Sequence, residues 1–221
     1  MDSNIKNMKN ASTNKTKNNL TFIHIPKNAG TAVSNAIGFG SGHYPFWEII
    51  QHDHAKSFAI VRNPFDRIVS SFTYAKMDKS YYHGSFAEHP DYKLLRDKTL
   101  KECLQTYRLR SIPLGYTPIS LNNINVDLSS KIDNEKHRYL NHQSWSGQCF
   151  WICDSDNNIL VDEVLKYEDL GDNIYGYPLD LVNKSDRRPT RDYYDDETMD
   201  LVRTIYKNDF EVFGYDKNKL P

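Results

Sequence analysis

The chain has 221 residues, enough for one sizeable core and short for two. Its 28 basic and 29 acidic side chains leave a formal net charge of -1, which excludes bulk attraction to nucleic acid or an anionic membrane, so any anion site must be local. Cys103, Cys149 and Cys153 form neither an even disulfide set nor a paired CxxC metal pattern, and no apolar run approaches the roughly 18 residues of a membrane span. With no apolar signal stretch near the N-terminus, the expectation is a cytoplasmic chain with free thiols and no membrane span.

Residues 1–19 are dominated by Asn, Lys, Ser and Thr and hold almost nothing that could be buried, so ordering them would cost entropy without return. They are expected to be a disordered tail, followed by a single folded domain over 20–221. That domain opens with "LTFIHI", a β-branched and aromatic run of strand length. The turn "PKNAG" follows, and Thr31 is expected to open a helix carrying Val33, Ala36 and Ile37, ended by "GFGSG".

The theme then repeats. "SFAIV" reads as a buried strand and "NPFDRIVSSFTYA" as a helix, with Asn63 as cap and Pro64 at the first helical position. Phe65, Ile68, Val69 and Phe72 fall at i, i+3, i+4 and i+7, the stripe of a helix packed on a sheet. Two strand-then-helix units in succession predict an α/β fold with a central parallel sheet and right-handed crossovers. Further on, Thr99 and Glu102 predict a capping box for "LKECLQTYRL". "GQCFWIC", a turn at "DSDNN" and "ILVDEVLKYEDL" suggest two or three more strands. "DDETMDLVRTIYKNDFEVFGY", with Met199, Val202, Ile205 and Tyr206 at helical spacing, reads as one closing helix.

At the end of a parallel strand the chain turns into a helix whose first amides lack internal partners, and these amides with the helix dipole make an anion cradle. Lys27 adds a full charge to an anion held by Asn28, Ala29, Gly30 and Thr31, and Gly30 is expected to let that anion approach the backbone. The order of residues is not that of a nucleoside-triphosphate P-loop, GxxxxGK[ST], because here the lysine precedes the glycine. At the second strand end, Arg62 offers a planar fork for phosphate oxygens, and Ser70, two helical turns on, a hydroxyl donor. Arg62 is equally placed to pair with Asp66.

"FIHIPKNAGT" followed by "VRNPFDRIVSSF" resembles the sulfotransferases that use 3'-phosphoadenosine 5'-phosphosulfate, and in particular the carbohydrate branch with the heparan 2-O and chondroitin or dermatan enzymes. The likeness extends more weakly through "VLKYEDL" to the closing stretch, over most of residues 20 to 216. It implies a three-layer, P-loop-like α/β fold with a central parallel sheet flanked by helices. The donor's 5'-phosphosulfate would lie in the Lys27 loop and its 3'-phosphate on Arg62 and Ser70. Asn28 and Ala32 stand where many relatives have Thr and Ser, which a loop working through backbone amides tolerates.

The resemblance also implies transfer of a sulfuryl group to an acceptor hydroxyl, on a glycan, by in-line displacement. Lys27 would stabilise the leaving group, and no metal is required. A histidine suits the base. "QHDHAKSFAIV" supplies His52 and His54, of which His54 is the preferred candidate. His137, Arg138, His142, Trp145, Arg187, Arg188 and Arg191 have chemistry that suits an anionic glycan, although such runs are more often solvated loops. Two other readings remain open: a P-loop-like nucleotide kinase, and a non-catalytic nucleotide-binding protein that keeps the cradle and lacks the base.

Overall fold

The computed structural model describes residues 16–40, 42–49, 55–77, 88–109, 139–140, 142–180 and 187–221. Its centre is a four-stranded sheet in the order β1-β2-β3-β6. Here β1 is Thr16–Lys17, β2 is Leu20–Ile23, β3 is Lys56–Val61 and β6 is Glu163–Lys166. The three strands β2, β3 and β6 run parallel, in a register that sets Phe22 beside Phe58 and Ala59 beside Val164, and β1 is an antiparallel edge. Thr16 and Lys17 thus pair with β2 from within the stretch expected to be a tail. Residues 1–15 of that stretch lie outside the described residues.

The two central strands are apolar on both faces because helices cover both. Phe22, Phe58 and Ile60 pack on one side with Val33 and Ile37 of α1, Gly30–Ile37. Ile23, Ala59 and Val61 pack on the other with Trp151 and Ile152 of the short helix Cys149–Ile152 and with Phe213. After β3, α2 (Pro64–Ala75) starts as its sequence predicts: Asn63 accepts from the amide of Phe65 at 2.9 Å and Pro64 occupies the first position. Phe65, Ile68, Val69 and Phe72 are all buried, against Leu100 and Leu104 from the next long helix and Val202, Tyr206 and Phe210 near the C-terminus.

Between these units lie α3 (Tyr92–Leu95), α4 (Leu100–Thr106) with its Thr99–Glu102 capping box, and a two-strand parallel ladder of β4 (Arg108–Leu109) with β5 (Tyr139–Leu140). A hairpin of β7 (Asn173–Ile174) and β8 (Tyr177–Pro178) follows β6. Two expectations are corrected. "GQCFWIC" is not a strand but contains the one-turn helix α5, Cys149–Ile152, because Asp209 accepts from the amides of Gln148 and Cys149 at 2.8 and 3.0 Å and so fixes a helical start. The closing helix is two, α6 (Asp196–Ile205) and α7 (Lys207–Val212), broken at Tyr206. There the buried Tyr206 side chain donates to the Trp145 carbonyl at 2.8 Å, while Ile205 is left 40% exposed.

Candidate functional site

The first feature is the turn between β2 and α1. Lys27 and Ala29 both take left-handed backbone conformations, with φ of 70° and 59°. Each costs a non-glycine residue of the order of 1 kcal/mol, and strain of this kind is retained where a site requires it. Ala29 is the helix cap and brings no side-chain oxygen to the first amides, and no acidic residue stands in the first turn. The helix therefore presents its N-terminus to an outside acceptor. Gly30 is needed for a reason the sequence did not disclose. A Cβ there would lie 1.8 Å from Cδ2 and Nε2 of His24, whose ring stacks on Phe22.

Cations converge on this turn. The Lys27 ammonium lies 3.9 Å from the centre of the Tyr74 ring, one helical face along α2. Arg62, at the carboxyl end of β3, donates from Nη1 to the Lys27 carbonyl at 3.0 Å and from Nε to Asp66 at 2.7 Å, and its guanidinium sits 4.0 Å over the Tyr167 ring. Asp66 is the shared counter-ion: it pairs with Arg62, accepts from Arg187 at 2.5 Å, and accepts from the Thr190 hydroxyl. Burial works to raise the Asp66 carboxyl, but Arg62, Thr190 and Arg187 outweigh it and hold the group below the usual carboxylate range. Lys27 moves the other way. Burial, then the charges of Arg62, Arg187 and Arg67, lower it from 10.5 to about 7. Positive charge on Lys27 is thus disfavoured by its own surroundings, and a neighbouring negative charge would favour it.

Beneath the turn lies a polar network. The Asn28 side chain points inward and donates to the Ile60 carbonyl at 2.7 Å and to Gln148 at 2.8 Å, so only its backbone is left for an anion. Arg67, 2% exposed, donates to the carbonyls of Pro26 and Ser146 at 3.2 and 2.8 Å. Ser70 is buried on α2 six residues after Pro64, about 9 Å along the axis from the helix start, on the element that Arg62 leads into.

His52 and His54, the expected bases, lie outside the described residues, as do His137 and Arg138. Two other imidazoles stand near Lys27. His89 meets the Tyr74 ring edge-on at 5.3 Å between centres, and His142 lies 4.5 Å from His89. The amide of Asp91 donates to Nδ1 of His89 at 3.1 Å, and that of Ser144 to Nδ1 of His142 at 3.2 Å. A nitrogen that accepts from an amide carries no proton, which puts the ring proton on Nε2 in each case. Burial and the nearby Lys27 charge lower His89 to about 3, which keeps it neutral. Trp145, considered for sugar stacking, is a core residue: it is 1% exposed and donates from its indole to Asp91 at 2.8 Å. Among the described residues no three His, Cys, Asp or Glu side chains assemble as a metal site.

The structure thus brings Lys27, Asn28, Ala29, Gly30, Thr31 and Arg62 together at the carboxyl ends of two adjacent parallel strands, where ligands of open α/β sheets bind. The pairing of Arg62 with Asp66, expected from the sequence, is present; Tyr74, Gln148 and Tyr167 were not singled out by the sequence reading, which left Arg187 among the solvated loops. The only sequence signal for Arg187 was the basic cluster "RRPTR" itself.

The model of a family described as the sulfotransferase family matches residues 11–216. No curated protein and no solved structure matches the chain. Among the described residues no helix is long and apolar enough to cross a membrane.

Proposed function

The chain belongs to the sulfotransferase family, and we propose that its donor is 3'-phosphoadenosine 5'-phosphosulfate and its acceptor a hydroxyl, on a carbohydrate as in the heparan and chondroitin branch. The catalytic unit is a single domain over residues 20–221, with the turn after β2 working as a P-loop-like cradle. The observation that carries this reading is the crowding of a strained, partly buried lysine by Arg62, Arg187 and Arg67, at the bare N-terminus of α1. A donor with two separate anionic groups, one on the cradle of residues 27–31 and one on Arg62 and Ser70, answers that arrangement.

In the transfer, the acceptor oxygen forms a bond to sulfur as the bond from sulfur to the bridging phosphate oxygen breaks, and adenosine 3',5'-bisphosphate leaves. Charge grows on that bridging oxygen, and a protonated Lys27 stabilises it together with the amides of residues 28–31. The donor's own charge favours protonation of Lys27. The acceptor's proton passes to a histidine, for which His54, with His52 beside it, is the candidate. His89 and His142, with Nδ1 engaged by amides, are better suited to donating hydrogen bonds than to taking that proton. The positioning and charge stabilisation assigned to these residues require no metal.

The test is transfer of sulfur-35 from labelled donor to a panel of glycans, small alcohols and tyrosine peptides. Label on glycans at a rate that Lys27→Ala abolishes is the expected result. Label on peptides or alcohols alone would overturn the carbohydrate assignment. Tight donor binding without transfer to any class would replace the enzyme by a nucleotide-binding protein.

A further inference from the structure

The parallel ladder between β2 and β3 ends at Ile23 beside Ala59, short of the end of β3. Beyond it, side chains supply the backbone partners. Asn28 takes the Ile60 carbonyl. Gln148 takes both backbone groups of Arg62, accepting from its amide at 2.8 Å and donating to its carbonyl at 2.9 Å. The same Gln148 oxygen accepts from Asn28 at 2.8 Å. One side-chain amide, 0% exposed, therefore bonds both the cradle turn and the backbone of Arg62, beside the direct bond from the Arg62 guanidinium to the Lys27 carbonyl.

Gln148 is itself held from behind. Its own amide donates to Asp209 on α7, and the adjoining Ser146 carbonyl accepts from Arg67, which also holds the Pro26 carbonyl. Gln148, 120 residues from Asn28 and 86 from Arg62 in sequence, is thus bonded to both.

We propose that Gln148 is a positioning residue that sets the distance between the two anion sites, so that one nucleotide engages both at once. This rests on the reading of the Lys27 turn as the 5'-phosphosulfate site and of Arg62 with Ser70 as the 3'-phosphate site. Two anions on one rigid ligand gain affinity over either alone only while the two sites keep the spacing of that ligand. Without the Gln148 amide, Arg62 and Asn28 lose their common partner, and the turn is held less firmly against β3 although the Asn28–Ile60 and Arg62–Lys27 bonds remain. Each site remains able to bind one phosphate.

The experiment measures, by competition calorimetry, the affinities for adenosine 3',5'-bisphosphate, adenosine 5'-phosphate and adenosine 3'-phosphate. It uses wild type, Gln148→Met, which keeps side-chain length without the hydrogen bonds, and Asn28→Ser, which breaks the same brace from the turn. The expected result is a preference for the bisphosphate over each monophosphate in wild type. That preference falls about tenfold in Gln148→Met and by a smaller factor in Asn28→Ser, while the monophosphate affinities stay within about threefold. A purely structural role would lower all three affinities in parallel with the thermal midpoint, and that result overturns the proposal. If Gln148→Met shows no cooperative unfolding, Asn28→Ser decides on the same ratio, and an unchanged ratio overturns the proposal. A wild type with no bisphosphate preference would overturn the donor reading and this inference with it. An unaltered preference in the variants overturns the inference alone.

Discussion

Binding of adenosine 3',5'-bisphosphate is expected to take up a proton at Lys27. In the empty site burial, Arg62, Arg187 and Arg67 lower this lysine to about 7, so at pH 8 only about one molecule in ten carries the charge. A phosphate beside the ammonium favours its charged form, which moves the group back toward the ordinary lysine range in the complex. The fraction protonated then rises from about 0.1 toward one, an uptake approaching one proton per nucleotide at pH 8. Phosphate monoesters are already almost fully ionised there, so they contribute little. The sign follows: affinity falls as pH rises from about 7 toward 9, approaching tenfold per unit. Calorimetry in two buffers of different ionisation enthalpy measures the uptake directly, and Lys27→Met must abolish it. An uptake near zero at pH 8, or the same uptake in Lys27→Met, would refute the reasoning.

The same displacement has a stability consequence. Because the empty folded protein binds fewer protons than the unfolded chain between about 7 and 10.5, its stability rises with pH over that interval. Lys27→Met should therefore raise the thermal midpoint at pH 7, with the gain shrinking toward pH 10. Gly30→Ala drives a methyl into the His24 ring and is expected to cost about 1–3 kcal/mol in chemical denaturation, with partial recovery in Gly30→Ala/His24→Ala. Full stability in the single variant would contradict the packing. For the base, His54→Ala, or His52→Ala if the neighbour serves, should lower turnover about 10²–10⁴-fold with donor affinity retained and flatten the acid limb of the pH profile. Full turnover in both variants across the pH range would move the base elsewhere.

The two strand-then-helix units were legible because each level of the sequence agreed. Phe58 to Val61 is apolar throughout, Asn63 and Pro64 punctuate the helix start, and the stripe from Phe65 to Phe72 faces the core. Those units place Lys27 and Arg62 at neighbouring strand ends, so the centre of the candidate site followed from local pattern. Around Cys149 the pattern failed, since a four-residue apolar run has no period to separate strand from helix. Its conformation is decided by Asp209, 60 residues on. Arg187 looked like a solvated charge until the fold set Asp66 beside it, 121 residues away in sequence. Gln148 carried no signal, because an amide side chain bonded to backbone has the same letter as one in water. Tyr206 was read correctly as apolar-facing, yet its hydroxyl, which seeks the Trp145 carbonyl, ends the helix that the spacing alone would have continued.

The central claim, that a nucleotide with a 3'-phosphate is held between the Lys27 turn and Arg62, is met most directly by calorimetry of adenosine 3',5'-bisphosphate against adenosine 5'-phosphate on wild type and Arg62→Ala. In this proposal Arg62 supplies the charged fork at the second site, and a charge-assisted hydrogen bond is worth about 1.5–3 kcal/mol. Wild type is expected to bind the bisphosphate at least about tenfold more tightly, and Arg62→Ala to remove most of that difference. Equal affinities of wild type for the two nucleotides would contradict it.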